Sequence, residues 1–260
     1  TIEASGLLAV YGVDARGAAD QSGGAVDLRS GTTLTPYGID TRAGSLGVDS
    51  DASAVSGGSV RLQGSTIELS DTTSIGIAAR TGRSSDGVAG GAIDLHGSVH
   101  LTGAVTLNTG SAAGDMTFHG TLNSHTSVRN LTLTSGTGSV SFEGAVGSTL
   151  RINKLLISQA AGLTAQKAVA AAKLGVQSTG DVTLSASSND FDVFAATLQS
   201  ASNLTLVDSD ALLIGSVGSG DGAIVGITGS SASSQSSSIS LTVGGALTQA
   251  SGAVIESPGA

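Results

Sequence analysis

Short runs of alternating apolar and polar residues, framed by glycine, recur along most of the chain. The first full copy is Gly23-Gly24-Ala25-Val26-Asp27-Leu28-Arg29-Ser30-Gly31. It returns as Gly57-Gly58-Ser59-Val60-Arg61-Leu62-Gln63-Gly64 and as Gly90-Gly91-Ala92-Ile93-Asp94-Leu95-His96-Gly97. Shorter copies are Gly114-Asp115-Met116-Thr117-Phe118-His119-Gly120 and Ser139-Val140-Ser141-Phe142-Glu143-Gly144. Successive side chains of a strand point to opposite faces, so each copy predicts a short strand with one buried face.

One unit predicts a strand at Val26 and Leu28, a second over 33–37, a third over 39–41, and then a polar loop. Three short strands per unit are what one coil of a parallel β-helix requires, and a coil buries its apolar face only against its neighbours. The apolar pairs Val26/Leu28, Val60/Leu62, Ile93/Leu95, Met116/Phe118, Val140/Phe142, Val182/Leu184, Leu204/Leu206 and Val225/Ile227 follow one another at 34, 33, 23, 24, 42, 22 and 21 residues. A basic coil of about 21 to 24 residues accounts for these intervals if two coils carry insertions and one marker near Leu156 is blurred. About 11 coils at ~4.8 Å each would span roughly 50 Å.

The insertions, 45–56 and 83–89, are rich in Gly, Ser and Asp, and loops at one corner of a solenoid project from one side. Asp49, Asp51, Arg83 and Asp86 within them are the candidate contact residues. The chain thus divides into loop-decorated coils over 1–120 and more regular coils over 121–260, in a single segment expected to belong to a longer repeat protein. Two stretches interrupt the rule. Residues 164–174 are Ala-rich with helix propensity, yet lack an apolar stripe and lie where the spacing requires strands, so helix and strand both stay open. Residues 230–238 hold seven Ser and precede the alternating Ile239-Ser240-Leu241-Thr242-Val243, which places them in a loop between coils.

Composition supports the solenoid and narrows its chemistry. The 260 residues include 39 Gly, 2 Pro, no Cys, no Trp, 2 Tyr and 4 Phe. Apolar residues are too frequent and too regular for a disordered chain. Without Cys there are no disulfides, thiolate nucleophiles or zinc-thiolate sites. A formal charge of −9 with scattered basic residues disfavours nucleic acid as a partner. No apolar run approaches the roughly 18 to 20 residues of a spanning helix.

Stacked copies place outward side chains in columns. One column reads Asp27, Arg61, Asp94, Thr117, Ser141, with opposite charges on neighbouring rungs. The next reads Arg29, Gln63, His96, His119, Glu143. Two imidazoles and a carboxylate are donors suited to a divalent metal, which makes His96, His119 and Glu143 the metal candidates. Ligands must converge within about 2.0–2.2 Å of one ion, whereas a flat ladder holds its members apart, so a surface polar ladder is the expectation and no metal or cofactor is assigned. The acid pairs at 49/51, 190/192 and 208/210 lack the glycine-aspartate nonapeptide of calcium-binding β-helices. Paired carboxylates also suit a polysaccharide-processing enzyme, but the scarcity of aromatic platforms opposes that reading. No nucleophile elbow, P-loop or HExxH motif occurs.

The succession Gly-Gly-x-Val-x-Leu, Ile-Asp-x-Arg-(Ala)-Gly and a Gly/Ser loop resembles the repeats of filamentous haemagglutinin-type exoproteins of bacterial two-partner secretion. Leu131-Thr132-Leu133, Gly180-Asp181-Val182-Thr183-Leu184, Asn189-Asp190-Phe191 and Asn203-Leu204-Thr205-Leu206 are similar to later strand repeats of the same adhesins. The resemblance implies a right-handed parallel β-helix, export through an outer-membrane secretion partner, a secreted or cell-surface location, and adhesion or biofilm work without catalysis. The partner expected is a receptor or glycan on a host or neighbouring cell. The alternatives are a polysaccharide-processing lyase or hydrolase and a filament or surface-layer module that associates end to end.

Overall fold

A computed structural model describes residues 1–18, 21–42, 56–70, 90–112, 114–232 and 235–257. The architecture is the expected parallel β-helix. Its first sheet stacks ten strands in chain order, which define coils 1 to 10: Ile2–Ala4, Val26–Ser30, Val60–Leu69, Ile93–Leu101, Met116–Phe118, Ser139–Phe142, Gly162–Ala165, Val182–Leu184, Leu204–Asp208 and Ile239–Val243. All neighbours along this path are parallel. At about 4.8 Å per strand, nine intervals give a rod of roughly 43 Å.

Several inward columns form the core, and three of them trace its perimeter. The first contains Leu28, Leu62, Leu95, Phe118, Phe142 and Ala165 in strict register. At the following corner Leu34, Ile67, Val99, Leu122, Val146 and Val169 succeed one another. The second large sheet contributes Val105, Leu131, Leu155, Leu174, Phe194 and Ile214. All are buried within one continuous cluster. Each such side chain larger than alanine contributes about 1.5–3 kcal/mol by leaving water. The alternation BiBiB of Val26–Ser30 is therefore the local signature of a global column.

The glycines framing the repeat have a stacking reason. A Cβ on Gly91 would collide with the Gly58 backbone of the preceding coil, as one on Gly58 would with Gly24. On the other side of the strand, Gly97 has φ +149° and lies against the Gly64 carbonyl, with Gly120 and Gly144 continuing the row. Two rows of glycine thus let the backbone turn tightly on both flanks of the first sheet.

Several expectations change. The second and third strands of coil 2 are one strand, Thr33–Asp40, bent where Gly38 takes φ +85°. Residues 164–174 contain no helix: they span the end of Gly162–Ala165 and the start of Ala170–Ser178, because register with both neighbours outweighs alanine's propensity. The blurred marker is Leu163/Ala165, whereas Leu156 faces outward from the second sheet. Val225/Ile227 is not the ninth step of the column. Leu204/Leu206 pair with Ile239/Leu241, 35 residues on, and Ile227 pairs with Ala196 in the second sheet. The chain between them forms a hairpin, Ser216–Val217 against Ile224–Val225, which lies on the outer face of the second sheet and buries Ala195, Val217 and Ile224. Gly175 admits it: a Cβ there would stand 2.9 Å from the Val217 side chain. Among the described residues the first sheet accordingly defines ten coils rather than about eleven.

Candidate functional site

The outward columns of the first sheet stack as the repeat requires. Asp27, Arg61, Asp94, Thr117 and Ser141 are consecutive register partners. The expected charge pairing between rungs gives way to pairing within a strand, where residues two apart share a face. Arg29 donates to both oxygens of Asp27, at 2.7 and 3.0 Å for the shortest pairs. Arg16–Asp14 and Arg42–Asp40 repeat that fork on coils 1 and 2. The Arg16 side chain and backbone N–H hold the Asp14 carboxyl at about 2. Beside them Tyr11 and Tyr37 stack with centroids 4.6 Å apart and rings almost parallel.

In the second column the structure brings His96, His119 and Glu143 together. Arg29 pairs with Gln63 and Gln63 with His96; the His96 and His119 rings then stack at 4.0 Å with 18° between their planes. The Nδ1 of His119 lies 2.8 Å from Glu143 Oε2, and its Nε2 lies 3.9 Å from Asp94 Oδ1. Burial, followed by His119 and Arg61, pushes the His96 imidazole below its ordinary value. Imidazole lone pairs lie in the ring plane, and two nearly parallel rings aim theirs side by side. An ion about 2.0–2.1 Å from a nitrogen of each would sit outside those planes. Among the described residues no set of three His, Asp or Glu side chains is placed to hold a metal ion. A second histidine stack, His100 on His125 at 5.5 Å, occupies the same two coils. Sequence reasoning passed over it, although all four histidines of the chain fall between positions 96 and 125.

The other acids are dispersed. Asp49, Asp51, Arg83 and Asp86 lie outside the described residues. Asp192 is reached by Arg151 across two coils, with Nη2 to Oδ2 at 2.7 Å. The intervening coil presents Ala170 and Ala172 on that face, since Ala171 points inward, and their small side chains leave room for the arginine. This gives the Ala-rich stretch a packing role that its composition did not signal.

Asn189 and Asp208 are buried polar residues at turns of successive coils. The Oδ1 of Asn189 accepts the Val169 N–H, and its Nδ2 donates to the Leu184 and Val207 carbonyls. Asp208 Oδ1 accepts the Phe191 N–H at 2.9 Å, while Oδ2 has no hydrogen-bond partner among the described residues. Burial drives the Asp208 carboxyl above its ordinary value, and the nearby Asp210 and Asp190 charges act in the same direction. Asn130 and Asn203, each the first residue of an Asn-Leu-Thr triplet of the glycan-acceptor form, stand at strand starts: Asn130 accepts from Asn153 at 2.8 Å, and Asn203 accepts the Ser238 N–H.

The described surface therefore presents forked ion pairs, aromatic and imidazole stacks, and one docked hairpin on a rigid frame. Comparison with protein-family models, characterised proteins and solved structures returns no match.

Proposed function

We propose that this chain is a stalk-like segment of a secreted or cell-surface bacterial adhesin, whose work is to hold length and carry contact loops rather than to catalyse a reaction. The observation that supports it most is the continuous parallel ladder: one apolar core runs without a break through successive coils, so load along the rod is shared among main-chain hydrogen bonds of every rung. The insertions at 45–56 and 83–89 are the proposed contact sites for a receptor or glycan on a host or neighbouring cell. Export through an outer-membrane secretion partner belongs to the same reading and rests on the repeat resemblance.

The test is binding of the purified chain to glycan arrays and to cells, beside a variant in which both insertions are replaced by short Gly/Ser turns. Binding that disappears in the variant while the far-ultraviolet spectrum persists supports the proposal. Depolymerisation of any glycan by the purified chain overturns the non-catalytic part of it.

A further inference from the structure

We infer that the junction between coils 4 and 5 is an acid-sensitive seam, along which the two parts of the solenoid loosen when the stacked histidines take up protons. All four histidines of the chain are at this one junction. His96 and His100 lie on Ile93–Leu101 of coil 4, while His119 and His125 follow the coil 5 strands Met116–Phe118 and Leu122–Ser124 that pair with it. The rings meet across the junction at 4.0 and 5.5 Å. The backbones of the same residues close it: the His119 N–H donates to the Leu95 carbonyl and the His125 N–H to the Leu101 carbonyl, each at 3.0 Å.

Neutral imidazoles stack favourably, while two imidazolium rings at that separation repel. The surrounding charges determine how far this goes. Around the first stack stand Arg61 from coil 3, Asp94 on the same strand and Glu143 from coil 6. Glu143 touches His119 and Asp94 lies near it, so one positive charge is compensated there. A second proton, on His96, meets that imidazolium and Arg61 together. Around the second stack, Glu68 of coil 3 is the register partner of His100, and Asn123 of coil 5 contributes no charge. The first stack thus takes a second proton, on His96, only against burial and two neighbouring cations. The junction gains charge as pH falls through the ordinary histidine range, and it alone has histidines on both of its coils.

The direction follows from proton linkage. A histidine that resists protonation in the folded coil but accepts it when released makes the closed junction less stable below about pH 6.5, and more stable as pH rises through that range. Acid thereby acts at one junction of a rod whose coils are otherwise held by apolar columns.

Amide hydrogen exchange read by mass spectrometry at pH 7.5 and pH 5.5, corrected for intrinsic exchange rates, tests the seam. The expected result is a loss of protection of about tenfold at pH 5.5 in peptides covering 93–101 and 116–125, with peptides over 170–198 unchanged. In a His96→Gln/His100→Gln variant, each junction stack keeps one imidazole and the pH-dependent loss disappears. Histidine ring NMR provides a reading independent of the variant's stability: His96 must titrate below the value of a free histidine peptide. Protection that is independent of pH, a loss spread evenly over all coils, or an unchanged loss in the double variant would each overturn the inference.

Discussion

Replacing Asp208 by Asn should stabilise the rod at neutral pH. Asp208 is 2% exposed; Oδ1 accepts the Phe191 N–H, and Oδ2 is buried without a hydrogen-bond partner among the described residues. One coil earlier, Asn189 is buried at the corresponding turn and uses its Nδ2 to satisfy two main-chain carbonyls. An amide at 208 retains the Oδ1 acceptor and supplies N–H donors where the carboxylate brings only lone pairs and charge. An unsatisfied buried polar atom costs about 1–3 kcal/mol, and more when charged, so the substitution should add about 1–2 kcal/mol at pH 7. The pH dependence gives the sharper signature. Burial raises the Asp208 carboxyl above its ordinary 3.8, so the folded chain holds this proton more tightly than the unfolded chain. Its contribution is fully present below pH 3.8 and is lost as pH rises through the folded-state value. The advantage of Asp208→Asn should therefore grow from acid to neutral pH. Urea unfolding followed by far-ultraviolet circular dichroism at pH 4 and pH 7 measures it. A variant less stable than the parent at pH 7, or a difference of equal size at both pH values, would refute the reasoning.

Four further outcomes follow from the packing. Phe118→Ala removes a fully buried ring tilted against Phe142 at 5.0 Å and should cost about 3–5 kcal/mol in the same unfolding assay. Gly91→Ala forces a methyl group into the Gly58 backbone and should cost about 1–3 kcal/mol, whereas alanine at Gly6, where a Cβ meets no atom within 4 Å, should give an unchanged midpoint. Gly175→Val should lift the hairpin from the second sheet, seen as new protease cleavage within 216–226, while the remaining strands keep their protection. Asp192→Ala should cost about 1 kcal/mol: its side chain is 61% exposed, which screens the pair, while the Arg151 Nη2 it leaves behind is buried.

Periodicity determined a great deal before any coordinates. Alternation within Val26–Ser30 and its copies named the buried residues, and alignment of the copies stacked them in the observed register through Phe142 despite unequal intervals. The glycine frames were also legible as frames. Their cause, contact with the backbone of the previous coil, is a property of stacking and lies outside any single copy. The spacing argument failed at Leu163/Ala165, where alanine disguises an inward position, and at Val225/Ile227, where an apolar pair serves a hairpin and a different sheet. A two-residue apolar pattern states that a strand has an inner face without stating which layer that face meets. Tertiary structure alone decided the chemistry of the surface. His96, His119 and Glu143 were predicted neighbours, but only the superposed coils show the two rings stacked face to face with Glu143 against His119. Arg151 reaching Asp192 over alanines, and Asp208 with an oxygen unpartnered among the described residues beside its satisfied counterpart Asn189, arise from the stacking of different coils. The chain's local pattern fixes what faces inward on each rung, and the superposition of rungs fixes which outward groups meet.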